Sequence, residues 1–198
     1  MEPKGLFEGI KVLGVTRQIA APFSTYQLAL HGAEVLTVEN PREPDSMRMV
    51  AGAGVKLGRM AMGYSYLAQA SNKRNMTLNI ASPQGQEIFR KLAAGSDVVV
   101  ENLVAGAMKK YGLDYDTLSG INPRLIYCSI TGYGQSGPAH KRAAIDGAVQ
   151  AASGLMTLSG TPQTGPMKVG FLMADYATGY AAALGIVSAL YHRERSGE

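Results

Sequence analysis

Cysteine is almost absent from this chain of 198 residues, which contains one cysteine, Cys128, and no tryptophan. A single thiol cannot close a disulfide within the chain, and it cannot supply the grouped ligands of a cysteine-cluster metal site. The sequence therefore predicts neither a disulfide-stabilised scaffold nor a metal site of that kind. Cys128 lies in the apolar run Leu125–Ile130, where we expect a buried thiol in a strand.

The sequence also lacks a hydrophobic run long enough to cross a membrane. Its most apolar stretch, residues 180–191, is about a dozen residues long, whereas a membrane-spanning helix needs roughly 20. We interpret this stretch as a buried helix and expect no membrane partner. Residues 1–9 lack the apolar core of a secretory signal, so the expected compartment is the cytoplasm.

Clustered basic charge is missing as well. The formal net charge is +4, but the lysines and arginines are dispersed, and there is no zinc-finger spacing, basic helix or aromatic RNA-binding signature. We therefore expect no nucleic-acid partner. A modest, scattered positive charge favours small anionic ligands instead.

What the sequence does contain is a strand–helix–strand pattern at its start. Residues 9–16 have the composition of a buried strand, a helix begins near Pro22 and ends at Gly32, and residues 34–39 form a second strand. Strands joined by a helical crossover are parallel. The pattern thus predicts an α/β fold, a Rossmann-like parallel sheet with ligand sites at the carboxyl ends of its strands.

The same alternation continues downstream. Ser82 and Pro83 suit the cap and the first position of a helix that runs to Ala94. Residues 41–71 show no clear period, and the sequence does not predict their structure. We expect one unit over residues 1–198, a domain or a piece of a larger one that stops just after a helix ending near residue 195. Strands are also predicted at 97–100 and 123–130, and helices at 105–111, 115–118, 145–152 and 174–195.

One alternative that follows from these residues is a dinucleotide-binding oxidoreductase. Glu39, at the end of the second strand, imitates the acidic residue that binds a ribose in such proteins. The loop at residues 17–22 (RQIAAP) contains no G-x-G-x-x-G, however, so a pyrophosphate cannot approach the backbone as that motif requires.

Four blocks spread over most of the chain carry a more specific pattern. They are residues 72–78 (NKRNMTL), 98–108 (VVVENLVAGAM), 122–138 (NPRLIYCSITGYGQSGP) and 174–179 (ADYATG). In this order they resemble signatures of the family III CoA transferases, a group with formyl-CoA and carnitine-CoA transferases and the related α-methylacyl-CoA racemase. The resemblance implies that residues 1–198 form the N-terminal part of that family's large domain.

Asp175 stands at the start of the long apolar helix, where its carboxylate can cap the free N–H groups of the first turn. The resemblance instead matches it to the family's nucleophile. A carboxylate with an ordinary pKa of about 4 is ionised at neutral pH and needs no separate base. The resemblance implies CoA transfer through an aspartyl anhydride and an aspartyl-CoA thioester, with N–H groups of the helix start contributing to oxyanion stabilisation.

Further residues match positions near the substrate in the family. Asp146 falls at an acidic position near the active site, where it either orients groups around the anhydride or caps a helix. The glycine-rich loop 132–138 either lets the backbone approach CoA closely or forms an ordinary turn. Without the resemblance, Ala20 and Leu78 could equally be core residues, and Lys110 could be part of a solvated helix end. The residues that the resemblance assigns to CoA binding are Ala20, Leu78, Asn102, Leu103, Val104, Lys110 and Asp146.

Three departures from the family pattern bear on specificity. Asn40 stands where the formyl-CoA branch has an arginine, and Ile19 stands where it has a catalytic glutamine, so we expect neither formyl-CoA nor oxalate as substrate. Racemases of the group have a histidine directly before the acidic position of Asp146, where this chain has Ile145. That difference favours a transferase over a racemase.

The resemblance also implies the partners. The substrates are an acyl-CoA and a carboxylic acid acceptor, with the coenzyme A thioester as substrate and neither a tightly bound cofactor nor a metal. Family members form interlocked dimers, so we expect a homodimer or paired subunits. A later glycine loop that closes over the aspartate in longer members is missing here, which leaves a non-catalytic truncated subunit as an alternative.

Overall fold

A five-stranded parallel sheet forms the centre of the computed structural model, which describes residues 5–50, 56–57 and 60–197. In chain order the strands are β1 (Lys11–Val15), β2 (Glu34–Glu39), β3 (Lys56–Leu57), β4 (Met60–Ala61), β5 (Arg74–Thr77), β6 (Val98–Glu101) and β7 (Ile126–Ser129). β3 and β4 form a separate antiparallel pair, and the sheet has the order β5-β2-β1-β6-β7. The predicted Rossmann-like parallel sheet is confirmed.

Helices connect the strands of the sheet and cover both of its faces. A short 3₁₀ turn spans Ser46–Arg48. None of the helices within the described residues has the length and apolar character needed to cross a bilayer. The helices are α1 (Ala20–Leu30), α2 (Tyr64–Ala70), α3 (Pro83–Ala94), α4 (Ala107–Lys110), α5 (Tyr115–Ser119), α6 (Asp146–Ala152), α7 (Leu155–Ser159) and α8 (Met173–Ser196).

Alternating side chains of the central strand β1 supply two hydrophobic cores, one on each face of the sheet. On one face, Val12 belongs to a cluster with Leu28 of α1 and Ile186 of α8. On the other face, Leu13 belongs to a cluster with Phe89 of α3. The continuous apolar composition of β1 and β6 follows from this burial on both sides.

The strand order reverses between β1 and β6, because the chain builds β2 and β5 on one side of β1 and β6 and β7 on the other. In open α/β sheets, ligands bind at the carboxyl ends of the strands beside such a reversal. Asn102, directly after β6, joins the two loops there. Its Oδ1 accepts a hydrogen bond from Arg17 N (2.8 Å), and its Nδ2 donates to Arg17 O (2.8 Å).

Helix α8 approaches the first turn of α1 closely because Gly179 has no side chain. A Cβ at Gly179 would lie 2.7 Å from Cδ1 of Phe23 and 2.8 Å from the carbonyl oxygen of Ala20. Phe23 in turn packs edge-to-face against Tyr176 and Tyr180, with ring centroids 4.9 and 4.8 Å apart. This packing places the start of α8 beside the carboxyl end of β1.

Several predictions about local structure need correction. The stretch 180–191 is helical, but it is buried on one face only: Ile186 is buried, whereas Leu184 is 69% exposed. Cys128 lies in a strand as predicted, but it is half-buried because β7 is the edge strand of the sheet. The elements α2, β5 and α7 were not predicted. The predictions for residues 1–9 and 41–71 also cover some residues outside the described part of the chain, namely 1–4, 51–55 and 58–59.

A buried polar cluster forms at the end of β2 around Glu39. Its carboxylate accepts hydrogen bonds from Arg48 Nη2 (2.7 Å), Arg48 Nε (3.0 Å), Asn75 Nδ2 (2.6 Å) and the Tyr66 hydroxyl (3.1 Å). Burial acts to raise the pKa of Glu39, but the hydrogen bonds from Arg48 and Asp45 N and the charge of Arg48 outweigh it, and the pKa is lowered. The carboxylate that imitates a ribose ligand is therefore already occupied.

We expect Arg48→Met to lower the free energy of unfolding at pH 7 by about 3–5 kcal/mol, because it leaves the Glu39 carboxylate buried without its cation. The lowered pKa of Glu39 means that the stabilisation is present at neutral pH and is lost as the pH falls through the range of carboxylate titration. The loss caused by the substitution should therefore shrink toward pH 4 in urea unfolding. Lys91→Met, which removes an exposed pair with Glu87, should leave stability almost unchanged at both pH values.

Candidate active site

A cleft of about 190 Å³ opens at the carboxyl ends of β1 and β6, where the strand order reverses. The loop after β1, the loop after β6, the segment 140–146 and the start of α8 all line it. The fold thus brings together residues that are far apart in the chain, such as Ala20 and Asp175, which are 155 positions apart. Six of the residues matched by the resemblance line this cleft: Ala20, Asn102, Leu103, Val104, Asp146 and Asp175.

Asp175 lies in the first turn of α8, half-buried, at the edge of the cleft. Its carboxylate forms none of the hydrogen bonds found in the described part of the chain, and it does not cap the helix. The interpretation of Asp175 as a capping residue is therefore wrong. The side chain is held at a precise place in the fold while its oxygens stay available for another contact.

Asp146 provides the cap that Asp175 does not. Its Oδ1 accepts hydrogen bonds from the backbone N–H groups of Ala174 (2.8 Å) and Asp175 (3.3 Å). The residue that precedes the helix, Leu172, has no side-chain acceptor, so the first turn depends on a group from elsewhere. Asp146 thus caps a helix, the one that carries Asp175, and its role in orienting groups around an anhydride stays a prediction.

The first-turn N–H groups of α8 are all engaged. Besides the two bonds to Asp146, Met173 N donates to Phe171 O (2.9 Å) and Tyr176 N donates to Leu172 O (3.0 Å). A donor that already has a protein partner cannot bind an oxyanion without giving up that partner. The expectation that these N–H groups contribute to oxyanion stabilisation is therefore not met in this conformation.

The two carboxylates interact electrostatically. Burial and, second, the nearby negative charge of Asp146 raise the pKa of Asp175 above its ordinary value. A raised pKa means that the ionised form is less favourable here than in water. An ionised Asp175 is consequently less well stabilised at this site than an aspartate in water.

Glu101, the last residue of β6, organises two of the loops near the cleft. Its Oε2 accepts a hydrogen bond from Leu103 N (2.8 Å), and its Oε1 accepts one from the Ser129 hydroxyl. The Gln135 amide joins the glycine-rich loop to this cluster, donating to Ser129 Oγ (2.5 Å) and accepting from Gly106 N (3.1 Å). Glu101 is 2% exposed, so the segment 102–106 is held by hydrogen bonds to a buried side chain and to Gln135.

Two residues matched by the resemblance lie outside the cleft lining. Leu78 follows β5 and lines a neighbouring depression of about 150 Å³, which shares Leu103 as a wall with the cleft. Lys110 is exposed at the end of α4 and lines neither space. If the cleft holds the reacting end of a ligand, Leu103 is the point from which the ligand can continue toward Leu78.

Sequence reasoning missed three residues that contribute to the cleft region. Lys141 and Arg142 line the cleft and add positive charge to it. Gln150 is fully buried behind it and donates to Asp146 Oδ2 (2.6 Å). The spacing of Asp146 and Gln150, four residues apart, places them on one helix face and was the available signal.

Comparison with known proteins agrees with this geometry. The chain is 41% identical to the succinate–glutarate CoA-transferase of Agrobacterium fabrum over 96% of its own length and 48% of that protein. It is 40% identical to the beta subunit of succinyl-CoA–L-malate CoA-transferase from Chloroflexus aurantiacus, covering 96% of its own length and 46% of that protein. The chain thus spans about half the length of the curated relatives it matches.

A solved structure and a family model point the same way. The crystal structure of a CaiB/BaiF family protein from Brucella suis superposes with a TM-score of 0.90 at 37% identity, covering 99% of this chain and 52% of that one. The family model described as CoA-transferase family III matches residues 7–198. The resemblance inferred from four short blocks is confirmed, and the chain belongs to CoA-transferase family III.

Proposed function

We propose that this chain supplies the nucleophile of an enzyme that transfers CoA between an acyl-CoA and a carboxylic acid, with Asp175 as the acyl acceptor. The observation that carries the proposal is that two aspartates have different roles at the start of α8. Asp146 satisfies the helix N–H groups, and the Asp175 carboxylate therefore remains unbonded at the edge of the cleft. A helix-capping role would have required the opposite arrangement.

The reaction begins when a carboxylate oxygen of Asp175 attacks the thioester carbonyl carbon of the donor acyl-CoA. The C–S bond breaks, the electron pair leaves with the CoA thiolate, and a mixed anhydride remains on Asp175. The thiolate then attacks the aspartyl carbonyl carbon, which releases the donor acid as a carboxylate and forms an aspartyl-CoA thioester. The acceptor carboxylate repeats the two steps in reverse and leaves as its CoA thioester.

For this chemistry the protein mainly has to position the reacting groups. One thioester replaces another, so the overall exchange is close to thermoneutral, and no proton, metal or redox group is consumed. The site must hold carboxylate and thioester in contact and keep water away from the anhydride. The half-buried position of Asp175, which the packing of Gly179 against α1 sets, supports that role.

The cleft accommodates only the reacting end of the substrate. Ligand pockets that enclose a drug-sized molecule have volumes of about 300–1,000 Å³, larger than the 190 Å³ seen here. The acyl thioester therefore lies between Ala20, the segment 102–104 and Asp175. The nucleotide end extends past Leu103 toward Leu78, with Lys110 as a more distant contact to phosphate.

The acceptor is a dicarboxylic acid in this proposal. The names of the relatives include succinate, glutarate and malate, all of which carry a second carboxylate. Lys141 and Arg142 in the cleft lining provide the positive charge that such a group needs. Asn40 and Ile19, where the formyl-CoA branch has arginine and glutamine, speak against formyl-CoA and oxalate.

The alternatives have weaker support. Ile145 lines the cleft where a racemase needs a histidine, and an aliphatic side chain cannot move a proton. The oxidoreductase alternative is disfavoured because Glu39, the residue that would bind the ribose, is hydrogen-bonded to Arg48. A subunit that acts only with a partner chain is compatible with the site, and one relative is itself named as a beta subunit. We therefore propose a paired or homodimeric enzyme in the cytoplasm.

Asp175→Ala should abolish CoA transfer while leaving CoA binding intact, because the substitution removes the nucleophile and none of the loop contacts. Incubation of the unchanged protein with succinyl-CoA should produce a CoA adduct that mass spectrometry of peptides assigns to Asp175. Asp116→Ala, at an exposed aspartate in the first turn of α5, is the control and should keep both the adduct and the activity. Transfer by the Asp175→Ala variant at the unchanged rate would refute the assignment.

Asp175→Asn should also raise the thermal stability at pH 7. The raised pKa of Asp175 means that its ionised form is disfavoured in the folded state, so stability is lost as the pH rises. The neutral amide avoids that loss. The gain in Tm over the unchanged protein should disappear below about pH 4, where the aspartate is protonated in both states. An equal gain at pH 3 and pH 7 would show that charge is not its cause.

Arg142→Gln should raise the KM for a dicarboxylate acceptor about 10- to 100-fold, as expected for loss of a charge-assisted hydrogen bond. The KM for acyl-CoA and the rate with a monocarboxylate acceptor should change little. Arg195→Gln, near the opposite end of the long helix α8, serves as a matched control. A rise in the KM for acyl-CoA alone would assign Arg142 to the nucleotide instead of to the acid.

A further inference from the structure

Gln150 is completely buried in α6 and connects three segments near the nucleophile. Its Nε2 donates to Asp146 Oδ2 (2.6 Å) and to Phe171 O (3.3 Å), and its Oε1 accepts from Val169 N (2.9 Å). Two of these partners lie in the segment that leads directly into α8. The third is the carboxylate that caps α8.

Only an amide can satisfy this set of partners. Asp146 and the Phe171 carbonyl require a donor, whereas Val169 N requires an acceptor. A glutamate in its ionised form has no donor, and an apolar side chain has neither function. Leaving any of these buried groups unpaired costs free energy, so the site selects glutamine for chemical reasons.

The bond from Gln150 also determines which oxygen of Asp146 faces α8. Since Oδ2 is held by the amide, the rotation of the carboxylate is fixed and Oδ1 points to the N–H groups of Ala174 and Asp175. The helix has no capping side chain of its own at Leu172. The position of its first turn, and with it the Asp175 carboxylate, therefore depends on this chain of bonds.

We infer that Gln150 is a positioning residue for the nucleophile, acting through Asp146 and through the segment 169–171. The inference rests on the proposed function of Asp175. Gln150 does not line the cleft, so it acts without touching the substrate. Misplacement of a reacting group by about 1 Å is enough to lower a rate about 100-fold, and we expect a loss of that size in kcat when the bonds are removed.

The test uses variants made in the complete protein. Gln150→Glu preserves the shape but replaces the donor that faces Asp146 with a second carboxylate, and Gln150→Met preserves the length without polar atoms. Both should reduce kcat about 100-fold while the dissociation constant for CoA stays within about threefold of the unchanged protein. Asn122→Asp is the matched control, since the Asn122 amide donates to Ala93 O and Ser96 O at the amino ends of β6 and β7, away from the cleft at the carboxyl ends of the strands. It should lower Tm but not kcat.

The double variant Asp146→Asn with Gln150→Glu exchanges donor and acceptor. The introduced amide can donate to the introduced carboxylate and still accept from the N–H groups of Ala174 and Asp175, whereas the hydrogen bond to the Phe171 carbonyl is not restored. We expect kcat to return to within about tenfold of the unchanged protein. Relative to the unchanged protein at the same pH, Gln150→Glu alone should also recover activity as the pH is lowered, because a proton shared between the two carboxylates restores the hydrogen bond.

The outcomes separate the inference from the proposed function. If the unchanged protein forms no adduct on Asp175, the proposed function fails. If it does, a folded single variant that keeps kcat within about twofold overturns the inference alone. If neither single variant folds, the double variant decides: a kcat within about tenfold supports the inference, and a lower value overturns it.

Discussion

The start of α8 imposes the constraint on which the site depends. Its first-turn N–H groups need acceptors, and the carboxylate within that turn, Asp175, must stay free if it is to react. Asp146 resolves the conflict by supplying the acceptor from another helix. That acceptor lies 28 residues before Ala174 in the sequence. The arrangement that leaves the Asp175 carboxylate unbonded is therefore set by tertiary packing and not by the local sequence.

The rest of the fold brings the remaining groups to that point. The reversal of strand order places the loops after β1 and β6 side by side, and Asn102 joins them through two hydrogen bonds to Arg17. Gly179 lets α8 approach α1, so Asp175 lies beside those loops. Each contact uses a small or polar residue where a larger apolar one would separate the segments.

The sequence was sufficient for the elements whose residues are buried on a regular pattern. β1, β6 and α3 were predicted because their apolar residues and caps are explicit. β5 was missed because its four residues, RNMT, are mostly polar and exposed, and only pairing with β2 makes them a strand. The shorter helices α2 and α7 follow glycines without a side-chain cap, so nothing local marks their starts. At the site, the resemblance found Asp175 and Asp146 but could not assign the cap between them, because a hydrogen-bond partner is set by the packing of α6 on α8.

The same cap limits what α8 can contribute to catalysis. The negative charge of Asp146 is favourable at the positive end of the helix, yet its carboxylate uses two of the N–H groups. Burial raises the pKa of Asp175, and the charge of Asp146 raises it further. A helix start that left its N–H groups free would instead have stabilised the carboxylate and made it a weaker nucleophile. In the proposed reaction, helix α8 positions Asp175, and the donors for an oxyanion come from other elements around the cleft.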